Sequence, residues 1–262
     1  MSHIVRSTLW LGFFGAILVS WWIMYSMSVD MDVDLIGRPG EMGARMAAMD
    51  PRMPMYMPMA NFGPLFAMWA IMMAAMMLPT LVPTLRSYED LMVSADGTRA
   101  GWLGVLAGYS IVWVAFAALI TGVQLALRFG GVSDMLGISK TTTFAGLLLI
   151  AVGAFQFTRA KEICHGVCHS PMTYYLGHWR TGFTGGLRMG FGLGAFCVGC
   201  CWGFMALGFV GGVMSLLWMG LATLFMVIEK LPQIGHVVTK PMGALLVLGG
   251  ISVLAYPVVA GG

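Results

Sequence analysis

The chain has 262 residues, of which 59% are hydrophobic and only 10% are charged, and its mean hydropathy of +0.85 lies far above that of a soluble domain. A net charge of +3, with no basic run and no nucleic-acid-binding motif, excludes a nucleic-acid partner. The apolar residues form long runs between short polar loops. This pattern predicts an integral membrane protein with a single domain over residues 1–262 and the lipid bilayer as its surroundings.

The apolar runs predict an all-α fold, a polytopic transmembrane helical bundle with about seven spans and with six as the alternative. The stretch at residues 185–230 is too long for one crossing, and Gly211 and Gly212 predict the turn that divides it. The expected runs cover residues 9–27, 64–85, 103–127, 144–158, 185–230 and 242–256.

The distribution of basic residues predicts the orientation, because cytoplasmic loops of membrane proteins carry an excess of Lys and Arg. With the N-terminus in the cytoplasm, nine of the fourteen Lys and Arg residues lie on the inner side. The five on the outer side are Arg38, Arg45, Arg52, Arg128 and Lys140. We therefore expect a multi-pass protein of the bacterial inner (cytoplasmic) membrane with a cytoplasmic N-terminus.

The longest predicted loop, residues 29–61, is rich in methionine and lies on the extracytoplasmic side in this orientation. Its segment 53–59 alternates methionine with residues that favour extended backbone, so that four thioethers project to one side. These candidate metal ligands are Met53, Met55, Met57 and Met59. Thioethers bind Cu(I) and do not form disulfides in an oxidising compartment. The alternative is that the methionines are adaptable apolar packing over the helix ends.

The second apolar run carries methionine at helical spacing. Met68, Met72 and Met76 recur every four residues, and Met73 and Met77 lie on the neighbouring face. These residues predict a methionine face that passes a soft ion inward, or a flexible packing surface.

All five cysteines lie between residues 161 and 202, in two groups. Cys164 and Cys168 are four residues apart, as are His165 and His169, so each pair shares a helix face with spacing suited to an ion. Cys197, Cys200 and Cys201 also share one face, and three sulfurs there suit Cu(I), or Zn(II) with a fourth ligand. The alternative is that the buried cysteines are small packing residues.

A depth estimate separates the two groups. Cys197 lies eleven residues after Gly186, which is roughly 16 Å into the bundle at about 1.5 Å per residue. The Cys164 segment is expected at the cytoplasmic surface, unless it folds back. The sequence thus predicts two stations, an interfacial handover point and a buried three-thiol site.

A glycine stripe marks the fifth span. Gly186, Gly190 and Gly194 recur every four residues, which permits close approach of another helix and predicts the central helix of the bundle. The same stripe is a possible contact for a membrane-protein partner. The Gly-rich span lacks the Lys-Ser/Thr of a phosphate loop, so no nucleotide partner is expected.

The cysteine motifs also carry a resemblance to a known family. The patterns Lys161-x-x-Cys164-x-x-x-Cys168-x-x-Pro171 and Cys197-x-x-Cys200-Cys201-Trp202, with Trp69-x-x-x-Met73 and Glu229-Lys230, resemble a bacterial family described as predicted metal-binding integral membrane proteins. The resemblance implies an inner-membrane location and a metal site at the matching cysteines.

Three functional hypotheses follow. The first is a membrane protein that binds a soft transition metal, copper or alternatively zinc, for transfer, delivery or homeostasis. The second is a noncatalytic or copper-binding subunit of a larger membrane oxidase or monooxygenase complex. The third is a membrane thiol oxidoreductase, which the reducing cytoplasmic placement disfavours. No catalytic residue is assigned, and the chain is not expected to be an enzyme on its own.

Overall fold

The protein is an all-α bundle in a computed structural model that describes residues 3–48, 61–92, 94–134, 136–231 and 235–260. The described part of the chain contains no β-strand, only two isolated β-bridges within loops. The predicted helical bundle is therefore confirmed. Its helices in chain order are α1 (His3–Asp30), α2 (Glu41–Ala48), α3 (Phe62–Met92), α4 (Arg99–Phe129), α5 (Thr142–Phe155), α6 (Arg159–His169), α7 (Pro171–His178), α8 (Gly182–Ala206), α9 (Gly208–Gly211), α10 (Leu216–Glu229) and α11 (Gly235–Ala260).

Five stretches among the described residues are helical, long and apolar enough to cross a membrane, and α5 with α6 makes a sixth if that bent pair is one span. The sequence-based number of about seven counted α10 as a full span. With fourteen residues, α10 is only about 21 Å long, shorter than the ~30 Å hydrocarbon core. It ends early because its last turn brings Glu229 and Lys230 into the buried centre of the bundle.

Helices α4 and α8 form the closest helix pair in the bundle. A Cβ at Gly186 would clash with the Gly101 carbonyl, and one at Gly190 would clash with the Val105 carbonyl. The glycine stripe thus allows the two backbones to touch, as predicted for the central helix. Because α4 covers this stripe within the chain, a partner helix would have to use another face.

The loop between α9 and α10 is held by two earlier loops of similar design. Asp34 Oδ1 accepts a hydrogen bond from the Arg38 amide at 2.7 Å, and Asp134 Oδ1 accepts one from the Ile138 amide at 2.8 Å. In the first loop, the Ile36 carbonyl accepts a hydrogen bond from the Ser215 hydroxyl at 3.0 Å. These contacts fix the turn that returns the chain through α10 toward the cysteines.

Candidate metal centre

Three buried thiols from two helices meet in the middle of the bundle. Cys197 and Cys200 lie one turn apart on α8, and Cys168 comes from the last turn of α6. Their sulfur atoms all lie within 4.8 Å of one another, and the Sγ atoms of Cys168 and Cys200 are 3.7 Å apart. At that separation the two sulfurs could both contact one soft ion.

The two-station prediction is wrong for Cys168. The chain bends by 64° between α5 and α6, and α6 packs one face against α8 while its other face stays exposed. Gly199 makes room for this contact, because a Cβ there would lie 2.8 Å from the Cys164 sulfur. The prediction of two separate stations assumed that the polar segment around Cys164 is fully exposed to solvent. One face of that segment is instead buried.

The remaining two cysteines border the three-thiol cluster. Cys201 Sγ lies 3.3 Å from Cys200 Sγ but is not part of the group whose sulfurs are all mutually close. Cys164 is half-buried and lies one turn before Cys168. The three predicted α8 thiols are thus adjacent to one another. Of the two α6 cysteines, Cys168 belongs to the cluster and Cys164 lies at its edge.

Cys197 is surrounded by polar groups from three other segments. Lys230 Nζ donates to its sulfur at 3.0 Å, and the Tyr109 hydroxyl lies 3.1 Å from the same atom. Lys230 also donates to the Thr80 hydroxyl at 2.9 Å, and that hydroxyl lies 3.1 Å from the Tyr109 oxygen. A buried ammonium is stabilised by a nearby negative charge, and Lys230 is placed to stabilise a thiolate at Cys197.

A buried ion pair lies beside the thiols. Lys161 Nζ is 2.9 Å from Glu229 Oε1 and 3.0 Å from Oε2, and it also donates to the Cys200 carbonyl at 2.8 Å. The Thr239 hydroxyl donates to the same carboxylate at 2.9 Å. Lys161 is therefore neutralised by Glu229. The pair joins α6, α8 and α10 around the cluster.

The histidines of α6 face Glu229 rather than the sulfurs. His165 Nε2 lies 2.7 Å from the Glu229 carbonyl oxygen; because a carbonyl only accepts, this nitrogen carries a hydrogen and is unable to bind a metal. The rings of His165 and His169 have centroids 5.4 Å apart.

Of the methionines considered as metal ligands or as an ion path, those of α3 are described by the structure and those of the loop segment 53–59 are not. Met53, Met55, Met57 and Met59 lie outside the described residues, so their role as ligands stays a prediction. The five methionines of the predicted α3 face are all buried, namely Met68, Met72, Met73, Met76 and Met77. The Met77 carbonyl accepts a hydrogen bond from the Tyr109 hydroxyl at 3.3 Å, so this methionine face ends beside Cys197.

Three residues of the centre were not predicted as site residues from the sequence: Lys230, Tyr109 and Thr80. The signal for Lys230 was an adjacent Glu-Lys pair at the end of an apolar run, which resembles an ordinary polar turn. Tyr109 and Thr80 lie in the middle of apolar helices, where a single hydroxyl is common and carries no pattern. Only the hydrogen bonds of the folded chain identify them: Tyr109 contacts Cys197, and Thr80 contacts Lys230 and Tyr109.

The arrangement fits a soft metal ion. Thiolates are the preferred ligands of Cu(I) and also bind Zn(II), and the cluster offers three, shielded from water. A protein family described as PpoB2, copper chaperone, matches residues 66–253, a range that contains every residue of the cluster. No curated protein and no solved structure matches the chain. Family and cluster together support copper-related metal binding, and the chain belongs to the PpoB2 copper chaperone family.

Proposed function

We propose that this protein is a membrane copper chaperone that holds Cu(I) at Cys168, Cys197 and Cys200 and passes it to an acceptor protein. The observation that supports this most is the meeting of three buried sulfurs from two helices within 4.8 Å. Packing alone does not require sulfur at three adjacent positions from separate helices, whereas a thiolate-bound ion does.

The charges around the cluster favour a monovalent ion held by two thiolates, with the third sulfur of the cluster contributing as a protonated thiol. Lys230 contributes one positive charge next to Cys197, and Lys161 is already balanced by Glu229. Cu(I) with two thiolates and Lys230 sums to zero, so burial of the loaded site leaves no net charge. Zn(II) reaches the same balance only with all three thiolates deprotonated.

The outer surface of the bundle supports a membrane location. Leu11, Leu18 and Trp22 on α1 are 72%, 70% and 69% exposed, and Leu245 and Leu248 on α11 are 64% and 61% exposed. A soluble monomer rarely exposes apolar patches of this extent. We propose that lipid covers them in the bacterial inner membrane, with the N-terminus in the cytoplasm, where thiols stay reduced.

A chaperone must release its ion, and the position of Cys168 suits that step. Cys168 lies on α6, a short polar helix that is separate from the long apolar helices. Half-buried Cys164 lies one turn earlier on the same face of α6. Movement of α6 away from α8 would remove one sulfur from the ion and leave two on α8. A thiol of the acceptor would then replace it by ligand exchange.

The experiment is Cu(I) binding to the detergent-purified, reduced protein in competition with a Cu(I) chelator. The wild type is expected to bind one Cu(I) with sulfur ligation, and Cys168→Ser, Cys197→Ser and Cys200→Ser should each weaken binding at least tenfold. Cys164→Ser is the matched control, since it removes a thiol from the same helix outside the cluster. Equal binding by all four variants would refute the assignment.

The same experiment separates the alternatives. An oxidase or monooxygenase subunit would copurify with its complex after mild detergent extraction, and a thiol oxidoreductase would cycle through a disulfide without retaining metal. Stoichiometric zinc, with no Cu(I) in copper-replete cells, would assign the site to Zn(II).

A further inference from the structure

A second cavity lies at the opposite side of α3 from the thiols, between the start of α1 and the last turns of α3. Its volume is about 300 Å³. Two arginines and a hydroxyl form one part of its wall, and aromatic and aliphatic side chains form the other. The lining residues are Arg6, Ser7, Trp10, Phe14, Val82 and Arg86.

The cavity wall is fixed by Glu89. Its Oε2 accepts a hydrogen bond from Arg6 Nε at 3.1 Å, and its Oε1 accepts one from Trp10 Nε1 at 3.1 Å. Arg99 NH1 lies 3.6 Å from the same carboxylate. One carboxylate thus holds two arginines and an indole, and the Arg6 guanidinium has four further N–H groups besides Nε.

The charged residues that line the cavity are two arginines, Arg6 and Arg86. Arg86 adds a second guanidinium, and the side chain of Arg6 is 55% exposed. Guanidinium groups bind phosphate through paired N–H donors. Trp10 and Phe14 beside them give an apolar surface directly next to the charged one, as in the interfacial zone of a bilayer.

We propose that this cavity binds the phosphate group of an anionic phospholipid, with Arg6 and Arg86 on the phosphate and the glycerol and first acyl carbons against Trp10, Phe14 and Val82. The proposal rests on the membrane location proposed above but not on copper binding. Basic residues at the end of a membrane helix are attracted to anionic lipids, and the shape of the cavity adds a defined place for one molecule.

The test is native mass spectrometry of the detergent-purified full chain titrated with phosphatidylglycerol or phosphatidylcholine. The wild type is expected to retain one phosphatidylglycerol, about tenfold more tightly than phosphatidylcholine. Arg6→Gln with Arg86→Gln should abolish that preference. The matched control is Arg38→Gln with Arg45→Gln, which removes the same charge from exposed positions at the opposite end of α1 and should behave as wild type.

Two further measurements test the lipid site, one with a variant that fills the cavity and one with inorganic phosphate as a competitor. Val82→Phe keeps both arginines but fills the cavity, so it should lose the bound lipid even if the double Arg variant unfolds. Inorganic phosphate should not displace phosphatidylglycerol at equal concentration; if it binds as tightly, the source is free phosphate and the lipid assignment is wrong. Equal lipid retention by wild type, double Arg variant and filled cavity would also overturn it. Cu(I) content is measured on the same samples, so failure here is separate from failure of the thiol site.

Discussion

Lys230 Nζ donates a hydrogen bond to Cys197 Sγ at 3.0 Å, deep inside the bundle and 33 residues apart in the chain. Lys230 is 5% exposed and Cys197 is 1% exposed, so neither charge is hydrated by bulk water. The position of the Lys230 ammonium favours the thiolate form of Cys197 over the thiol. Metal binding at this centre is therefore expected to depend on a lysine that is not itself a ligand.

Replacement of Lys230 by methionine should weaken Cu(I) binding by about 10- to 100-fold, the usual effect of losing a group that orients a metal ligand. The cause is the loss of the positive charge that stabilises the Cys197 thiolate. Chelator competition measures the affinity. The control is Lys240→Met, since Lys240 is exposed on α11; equal affinities for the two variants would show that Lys230 does not act on the site.

Metal binding should release protons in a number that identifies the ion. We expect Lys230 to hold Cys197 as a thiolate in the free protein, so that Cu(I) bound by two thiolates displaces about one proton, whereas Zn(II) bound by three displaces about two. Proton release is followed in weakly buffered solution with a pH indicator during titration. A release of two protons per Cu(I) would show that Cys197 is protonated in the free protein or that all three thiols ionise.

The Lys161–Glu229 pair should matter for stability in an asymmetric way. Lys161→Met leaves a buried carboxylate without its cation, which costs about 3–5 kcal/mol. The double variant Lys161→Met with Glu229→Leu removes both charges and should recover most of that loss. Unfolding in a denaturing detergent measures the free energies, and a double variant no more stable than the single one would contradict the buried-pair account.

Contact between α4 and α8 predicts opposite results for two glycine substitutions. Gly190→Ala forces a Cβ against the Val105 carbonyl and should destabilise the protein by about 1–3 kcal/mol. Gly122→Ala, in α4, meets nothing within 4 Å and should be neutral or stabilising by up to ~1 kcal/mol. The same unfolding assay compares them, and similar free energies would show that the helices are not in backbone contact.

Proximity of Cys168 and Cys200 predicts a specific disulfide. Their sulfurs are 3.7 Å apart and need only a small movement to reach the ~2.05 Å bond length, so a mild thiol oxidant should link α6 to α8. Peptide mass analysis identifies the link. Bound Cu(I) should protect against it, and a chain whose five thiols all remain alkylatable after oxidation would show that α6 does not lie on α8.

The sequence was sufficient to predict the long apolar helices and part of the thiol centre. Cys197 and Cys200 were predicted to share a face because an apolar run of that length is helical and the helical period is fixed. The glycine stripe predicted a close helix contact for the same reason. These features depend only on local periodicity.

Cys168, Lys230 and Tyr109 could not be placed with them, because their positions depend on how distant segments fold back. The bend after α5 and the early end of α10 come from tertiary packing, including the buried Lys161–Glu229 pair, which no local pattern shows. A polar segment is normally read as exposed. Here Lys161, the charged residue on the buried face of α6, is neutralised by Glu229, 68 residues away, and this compensation allows that face to be buried.

The most direct test of the central claim is X-ray absorption spectroscopy of the Cu(I)-loaded full chain, which identifies the atoms bound to copper. Two or three sulfur ligands, with sulfur lost in Cys197→Ser and unchanged in Cys164→Ser, is the result the thiol centre predicts. A spectrum dominated by nitrogen or oxygen ligands, or one unchanged when Cys168, Cys197 and Cys200 are all replaced by serine, would contradict it.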